Sequence, residues 1–334
     1  MRLIILAALA AASARAGTIA ELVQSIRAAL AAKRADTEVA TMVAQAKLDE
    51  RLTGAVIEQL ESEGAGPRTV EELEWQREES SALSIPRELR PGDVVAPPSD
   101  GEQARMIEQA RAVALAYTAN LPNFLCTETV RRHGRPNGKP WRLNDTLTVD
   151  LAYSEQGESY KLLTINGKPT TKTFRSLSGW RTNGEFGSLL KFIYEAKSDA
   201  RFQWERWGNL RGRRVAVFSY RIDRKKSTYS VDGGRSMFSH ARIVTGAVGF
   251  VYIDPETQRT MRLSAGDDGL PPNFPIRETW LLMDYDYADV GGQLYLLPRR
   301  VDVRAIFRES RGRSIEEFGN YRKFSSEATV TFEK

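Results

Sequence analysis

The sequence predicts an α+β fold in which a large antiparallel sheet, curved like half a barrel, is covered by helices and preceded by a small helical region. Three observations predict it. Helical periodicity dominates the chain up to about residue 82, short alternating segments dominate it after Pro122, and no β-α-β alternation joins the two parts. Short strands separated by turn signals favour one antiparallel sheet that curls or closes.

The N-terminal segment 17–82 has the pattern of four short helices. Thr18 and Glu21 have capping-box spacing, and the apolar residues that follow recur on one helical face. We expect Asp36 to cap the second helix and Gly64 to end the third. The apolar faces are narrow, so the helices form either a small bundle or an arm that packs on another surface.

The stretch "GAGPRT" precedes the fourth helix, for which Thr69 and Glu72 have capping-box spacing. Gly64 and Gly66 resemble the Gly-x-Gly turn of helix-hairpin-helix modules, in which amides at a helix start bind a nucleic-acid phosphate. However, segment 17–82 holds seven basic and 13 acidic residues, whereas nucleic-acid binding relies on Lys and Arg. We therefore interpret the stretch as a C-cap glycine before a proline-started helix, and predict no nucleic-acid partner.

Residues 1–16 have the form of a signal peptide. Arg2 precedes an apolar run of about ten residues, and "ARA" at the end of the segment suits cleavage after Ala16. We predict export to the periplasm or the extracellular space; the alternative is a buried N-terminal helix. No later segment is apolar for about 18 residues, so the sequence predicts no transmembrane span.

Segment 83–100 is rich in proline and is predicted to link the helical region to a β domain at 101–334. That domain begins with a helix for which Ser99 and Glu102 have capping-box spacing. The whole chain carries a formal charge of +5 although its helical region is acidic, so the β domain is strongly basic. A basic surface suggests attraction to anionic headgroups or contact with the acidic arm, and simple solubility is the alternative.

Alternation of apolar and polar residues predicts nine strands in the β domain. They are "FLCTETVRR", "TLTVDLAYS", "SYKLLTING", "RVAVFSYRI", "VGFVYID", "TMRLSAG", "RETWLLMDYDY", "LYLLPRRVDVRAIF" and "EATVTFE". One helical insertion, "GSLLKFIYEA", interrupts them, and we expect Ser188 to cap it.

Catalytic and metal-binding patterns are weak. Cys126 and His133 are seven residues apart on one predicted strand, so their side chains point to opposite faces, and we expect Cys126 to serve in packing. Asp284, Asp286 and Asp289 lie close together but lack the glycine and distal glutamate of a calcium loop. The sequence predicts no catalytic residue, no metal site, no cofactor and no enzymatic activity.

Aromatic and aliphatic residues on alternating strand positions are the candidates for a ligand-binding concave face. The six candidates are Phe218, Tyr220, Phe250, Tyr252, Trp280 and Leu282. The alternative is that the domain's own helices fill that face and give an ordinary core.

From Gly101 onward, the order of one helix, "LPNF" and many hairpins, with "GFVYIDPETQRTMRL" and "YDYADVGGQLYLLPRRVDV", resembles the periplasmic lipoprotein-carrier (Lol-type) half-barrel superfamily. The resemblance implies a curved antiparallel sheet, covered by helices, that binds acyl chains in its concave face. The whole chain, with "GAGPRTVEEL", "LPNFLCTETVRR", "GEFGSLL" and "EFGNYRKF", also resembles a group of exported bacterial proteins of uncharacterised function, which implies no activity.

Together these features predict an exported, non-enzymatic binding protein that holds a lipid, an acyl chain or another envelope component in its curved sheet. One alternative is an envelope protein–protein interaction module with a solid core, in which the acidic arm 17–82 docks a partner protein. A second alternative is a hydrolase that uses carboxylates, since Asp and Glu are abundant.

Overall fold

The computed structural model describes residues 17–86, 96–137, 139–154, 157–173, 176–177, 186–235 and 240–323. The chain divides into two compact units. Unit 1 comprises Met1–Pro97 together with Trp207–Val215, and unit 2 comprises Pro98–Arg206 together with Ala216–Lys334.

Three predicted features fall wholly or partly outside the described residues. They are the signal peptide 1–16, the middle of the proline-rich segment 83–100, and the predicted strand "EATVTFE". The domain boundaries inferred from the sequence stay a prediction.

Unit 1 contains four helices, as the sequence predicts. They are α1 (Ile19–Ala31), α2 (Asp36–Gln45), α3 (Gly54–Ser62) and α4 (Pro67–Glu79). Their apolar faces meet in one aliphatic core that includes Ile26, Val39, Val43, Leu60 and Leu73. Because the apolar faces are buried against one another, the helices form a small bundle with its own core.

Two of the expected helix caps form. The carboxylate of Glu21 accepts a hydrogen bond from the Thr18 backbone N–H at 2.9 Å, and the Thr18 hydroxyl accepts one from the Glu21 N–H at 3.2 Å. Glu102 likewise accepts from the Ser99 backbone N–H at 2.8 Å. The expected cap at Ser188 is wrong, because this residue is the first of its helix and no side chain caps the helix start.

Asp36 does not cap α2, and Thr69 does not cap α4. Instead, the Asp36 carboxylate accepts hydrogen bonds from the backbone N–H groups of Arg68 and Thr69, at 2.8 and 3.0 Å. A Cβ atom at Gly66 would lie 2.4 Å from the Cγ of Asp36, so residue 66 must lack a side chain. The helix start that resembles a phosphate-binding turn therefore already holds an anion from the chain itself.

Unit 2 is built on an antiparallel sheet of eleven strands in the order β4-β3-β2-β1-β13-β12-β11-β10-β9-β6-β5, beside a two-stranded sheet β7-β8. The strands are β1 (Phe124–Pro136), β2 (Arg142–Ser154), β3 (Gly157–Ile165), β4 (Lys168–Pro169), β5 (Arg201–Leu210), β6 (Arg213–Ile222), β7 (Ser230–Arg235), β8 (His240–Val244), β9 (Ala247–Ile253), β10 (Thr260–Asp267), β11 (Ile276–Asp289), β12 (Leu294–Phe307) and β13 (Ser310–Lys323). The first strand pairs with the last over most of its length.

The predicted fold is confirmed: a large, curved antiparallel sheet with helices, and a helical N-terminal region. Eight of the nine predicted strands are present in the described residues, while β4, β5, β7, β8 and β13 were not predicted. The omission of β13 matters most, because this strand joins β1 to β12 at the centre of the sheet.

Two helices of unit 2, α5 (Asp100–Ala119) and α6 (Ser188–Tyr194), pack on one face of the sheet. The Tyr194 ring stacks on Phe202 with centroids 5.7 Å apart, and its hydroxyl lies 2.9 Å from the Thr260 hydroxyl. The Tyr117 hydroxyl of α5 donates to the carbonyl of Leu296. These contacts fix both helices on the same side of the strands.

Candidate functional site

Strand register divides the side chains of the sheet between two faces. We call the face covered by α5 and α6 the core face; it carries Phe124, Cys126, Phe218, Leu263 and Met283. The opposite face carries a row of paired charges, and we call it the arginine face; it includes Tyr252, Arg262, Asp284, Arg300, Asp302 and Arg313.

The core face is filled by the protein's own side chains. Phe124 is fully buried, and its ring packs against Phe186 and Tyr153 with centroids 5.1 and 5.2 Å apart. Phe186 extends the cluster to Phe318 and Tyr321. Within the described residues, this face is therefore a packed core, which is the alternative that the sequence left open.

The structure places Cys126 in this core. The residue is fully buried, and burial raises the pKa of its thiol well above the ordinary value, an effect that nearby Glu128 increases. Register puts His133 on the arginine face, opposite Arg313, so it lies on the other side of the sheet from Cys126. The thiol lacks the low pKa of a catalytic cysteine.

The six predicted ligand-binding residues do not share one surface. Phe218 and Tyr220 lie on the core face, where the Tyr220 hydroxyl donates to the Ser264 carbonyl at 2.9 Å. The other four lie on the arginine face, namely Phe250, Tyr252, Trp280 and Leu282. The sequence pattern correctly grouped residues within each strand but could not give the register between strands. A ligand-binding role for these residues stays a prediction.

The four residues on the arginine face form what we call the aromatic patch (Phe250, Tyr252, Trp280 and Leu282). Phe250 and Trp280 make an edge-on contact with ring centroids 6.4 Å apart. Two guanidinium groups, those of Arg206 and Arg262, lie 6.0 and 5.9 Å from the centroid of the Tyr252 ring. Tyr252 is buried, while the other three side chains are partly exposed. The patch therefore combines accessible apolar surface with positive charge.

Ion pairs run across the arginine face next to this patch. Arg262 binds Asp284 through two hydrogen bonds of 2.6 and 3.0 Å. Arg313, which is fully buried, binds Asp302 in the same way at 2.9 and 2.6 Å. Arg304 makes further hydrogen bonds to Asp302. Bidentate pairing of this kind holds each side chain in a fixed orientation.

The electrostatics of Asp302 follow from these contacts. Burial alone would raise the pKa of its carboxyl, but the nearby guanidinium groups of Arg304 and Arg313 outweigh burial and hold the pKa well below the ordinary value. Carboxylates that act as general acids in hydrolases need a raised pKa. Asp302 therefore has the properties of a structural anion.

The aspartates of "DYDYAD" also accept hydrogen bonds from other groups of the chain. Asp284 is bound by Arg262, Asp286 accepts from the Tyr287 N–H at 2.9 Å, and Asp289 accepts from the Gly292 N–H at 3.1 Å. No group of three potential metal ligands occurs in the part of the chain that the structure describes. Asp286 and Asp289, with Arg299, line a groove of about 320 Å³ at this end of β11 and β12.

Sequence reasoning missed the charged residues of the arginine face. A signal for them exists in "RRVDVRAIF", where Arg300, Asp302 and Arg304 alternate with apolar residues. Alternation of this kind marks a strand with two differently buried faces. The sequence does not show that two of these charged residues, Asp302 and Arg313, are buried.

Comparison with known proteins finds fold neighbours only. No family model matches the chain, and no curated protein matches it. None of the helices in the described ranges combines the length and apolar character needed to span a bilayer.

Three solved structures match about two thirds of the chain. A LolA superfamily protein from Nitrosomonas europaea is 9% identical with a TM-score of 0.30, and the match covers 66% of this chain and 93% of that one. A putative outer membrane lipoprotein-sorting protein domain from Vibrio parahaemolyticus is 11% identical with a TM-score of 0.31, covering 67% and 94%. A DUF1329 family protein from Desulfovibrio piger is 10% identical with a TM-score of 0.31, covering 66% and 94%.

Two of these three structures carry a lipoprotein-sorting or LolA superfamily description. Since the TM-scores are near 0.3, no residue role is transferred from these proteins.

Proposed function

We propose that the chain is an exported, non-enzymatic binding protein that binds a lipid or another acyl-bearing envelope component on the arginine face of its sheet. The observation that carries this proposal is the position of the aromatic patch. Partly exposed apolar side chains lie on the same face as a row of guanidinium groups, in neighbouring strands. An amphiphile with an acidic headgroup needs both kinds of surface.

The register of two neighbouring strands supports the binding of a ligand that has both an apolar part and an acidic headgroup. On β11, Trp280, Leu282 and Asp284 are successive residues of the arginine face, and on β12 their partners are Arg304, Asp302 and Arg300. At about 3.3 Å per residue, Trp280 and Asp284 lie about 13 Å apart along β11, and a guanidinium group lies opposite each of them on β12. An acyl chain would contact Trp280 and Leu282 while its headgroup meets the guanidinium groups.

The remaining parts of the proposal rest on other residues. Binding is proposed on the arginine face because the core face is packed by Phe124, Phe186 and their neighbours. The lack of enzymatic activity is proposed because the only thiol is buried with a raised pKa. Export is proposed on the sequence of residues 1–16.

The test is a vesicle flotation assay with the purified protein. We expect binding to vesicles of phosphatidylglycerol, and we expect Trp280→Ala to weaken it about tenfold because the apolar contact is lost. The matched control is Leu294→Ala, which removes an apolar side chain that is 64% exposed at a hairpin tip outside the patch, and which should bind as wild type does. Absence of vesicle binding by the wild-type protein, with no lipid adduct in native mass spectrometry after mild extraction, would reject the proposal.

A second candidate is an interaction module that docks a partner protein through the acidic bundle 17–82. It is favoured by the bundle's own aliphatic core, by exposed acidic side chains such as Glu38 and Glu79, and by the packed core face of the sheet. Charge reversal at exposed residues, Glu38→Lys with Glu79→Lys, should abolish site-specific photo-crosslinking to the partner and leave vesicle binding unchanged. An unchanged crosslinking pattern would count against the bundle as the contact.

A further inference from the structure

Arg300 differs from its charged neighbours on the arginine face. Its Nε and Nη2 atoms are buried and have no hydrogen-bond partner among the described residues. Arg300 lies at the middle of the row, with Asp284 of β11 and Glu317 of β13 as its Cα partners. The residue as a whole is only partly buried, although these two atoms are covered.

The same edge is occupied in other arginines of the sheet. Arg262 uses Nε and Nη2 to bind Asp284, and Arg313 uses them to bind Asp302. On the core face, Arg132 binds Asp145 through the same two atoms at 2.7 and 2.5 Å. In these three arginines, the Nε–Nη2 edge of the guanidinium binds both oxygens of one carboxylate.

The carboxylates around Arg300 are engaged by other cations. Asp284 is bound by Arg262, and Asp302 is bound by both Arg304 and Arg313. Glu317, on the other side, is bound by Arg131 at 2.6 Å. Arg300 thus faces three acidic side chains that are hydrogen-bonded to other arginines, and its own charge helps to lower the pKa of Asp302 without a hydrogen bond to it.

A buried guanidinium edge without a hydrogen-bond partner is costly, because the lost contact with water is not replaced. The cost disappears when two oxygens of one oxyanion bind the edge, since this geometry suits phosphate and carboxylate groups. Binding of a ligand at this edge would explain why an arginine stands at this strand position despite the cost.

We propose that Arg300 is the anion-binding residue of this face and that its Nε–Nη2 edge binds a phosphate-type oxyanion. The inference rests on the proposed function in one respect: the oxyanion would be the headgroup of the amphiphile whose apolar part contacts Trp280 and Leu282. A free phosphate would satisfy the same edge, and the two sources are separated experimentally below.

The first experiment measures thermal unfolding of the full protein in an anion-poor buffer and with added inorganic phosphate. Wild type should show an unfolding temperature that rises with phosphate concentration, because a ligand that binds only the native state stabilises it. Arg300→Met should lose this response. The matched control is Arg299→Met, which removes the neighbouring arginine at a register irregularity of β12 and should keep the response.

The same experiment tests a purely structural role. If Arg300 served to neutralise Asp284 and Glu317, Arg300→Met would unfold at a clearly lower temperature without phosphate. We expect instead that the variant is at least as stable as wild type in the anion-poor buffer, because a costly buried group has been removed. A large loss of stability there, or a phosphate response that persists in Arg300→Met, overturns the inference.

The second experiment compares vesicles of phosphatidylglycerol with inorganic phosphate. Arg300→Met should bind these vesicles about tenfold to hundredfold more weakly than wild type, as expected for loss of hydrogen bonds to a charged group. Trp280→Ala should lose vesicle binding and keep the phosphate response. Vesicle binding that is unaffected by Arg300→Met contradicts the inference alone, whereas a phosphate response without any vesicle binding contradicts the proposed amphiphile and assigns the site to free phosphate.

Discussion

The two faces of the sheet are built from the same strands but follow different chemistry. On the core face, apolar and aromatic rings such as Phe124 and Phe218 are buried under helices and against one another. On the arginine face, buried positions such as Asp302 and Arg313 are charged and satisfied in pairs. The comparison teaches that burial in this sheet does not imply apolar chemistry, because one face buries rings and the other buries ion pairs beside partly exposed apolar side chains.

The largest expected difference between the faces concerns two phenylalanines in neighbouring strands. Phe218→Ala should lower the free energy of unfolding by about 3–5 kcal/mol, because it leaves a cavity in the packed core. Phe250→Ala, on the arginine face, should lower it by about 1 kcal/mol or less, since the side chain is partly exposed. Urea unfolding of the two variants measures both values. Equal losses would mean that the arginine face is as closely packed as the core face.

The next effect tests whether the charged pairs are structural. Asp302→Ala should destabilise the protein by about 3 kcal/mol, because Arg313 is fully buried and would lose its partner. Asp150→Ala is the matched control on the same face; its contact with Arg322 is 3.4 Å long and that arginine is exposed, so its loss should cost about 0.5 kcal/mol or less. Chemical denaturation of both variants gives the comparison, and a small effect at Asp302 would refute a structural role for the pair.

The dependence of stability on pH gives a smaller effect with a defined sign. The folded-state pKa of Asp302 is well below its ordinary value, so the carboxylate stabilises the folded state above the unfolded-state pKa of about 3.9. This stability is lost as the pH falls from there through the folded-state pKa. Unfolding free energies measured between pH 5 and pH 2 should fall less steeply for Asp302→Asn than for wild type. Parallel curves would show that Asp302 does not titrate differently on folding.

The smallest effect concerns the thiol of the core face. Cys126→Ala should lower the free energy of unfolding by about 1 kcal/mol, because one small buried atom is removed, and should leave vesicle binding unchanged. Iodoacetamide should not modify Cys126 in the native protein, since the thiol is buried and its pKa is raised. Rapid alkylation under native conditions would place this residue in an accessible site.

Much of the fold follows from local pattern. Helical periodicity placed all four helices of the bundle, and alternation placed eight strands, because each signal depends only on neighbours in the chain. The capping boxes at Thr18 and Ser99 are local in the same sense. By contrast, the helix start at Gly66 is capped by Asp36, a residue about thirty positions earlier, and no spacing rule could identify that contact.

The candidate site could be predicted only in part, because local sequence pattern does not give the register between strands. The sequence indicated which aromatic residues share a face within one strand, yet it placed Phe218 with Phe250 although register puts them on opposite faces. It also concealed β13, because charged residues such as Arg313 and Glu317 weaken the alternation that marks a strand.

The sequence by itself determined the α-helices and eight of the strands described here, since these depend on periodicity and on short-range turn chemistry. Only the tertiary structure decided which strands are neighbours, which face is filled, and that the Nε and Nη2 atoms of Arg300 are buried without a hydrogen-bond partner among the described residues. The physical reason is that pairing of β1 with β13 joins residues almost two hundred positions apart. Side-chain contacts on both faces follow from that pairing.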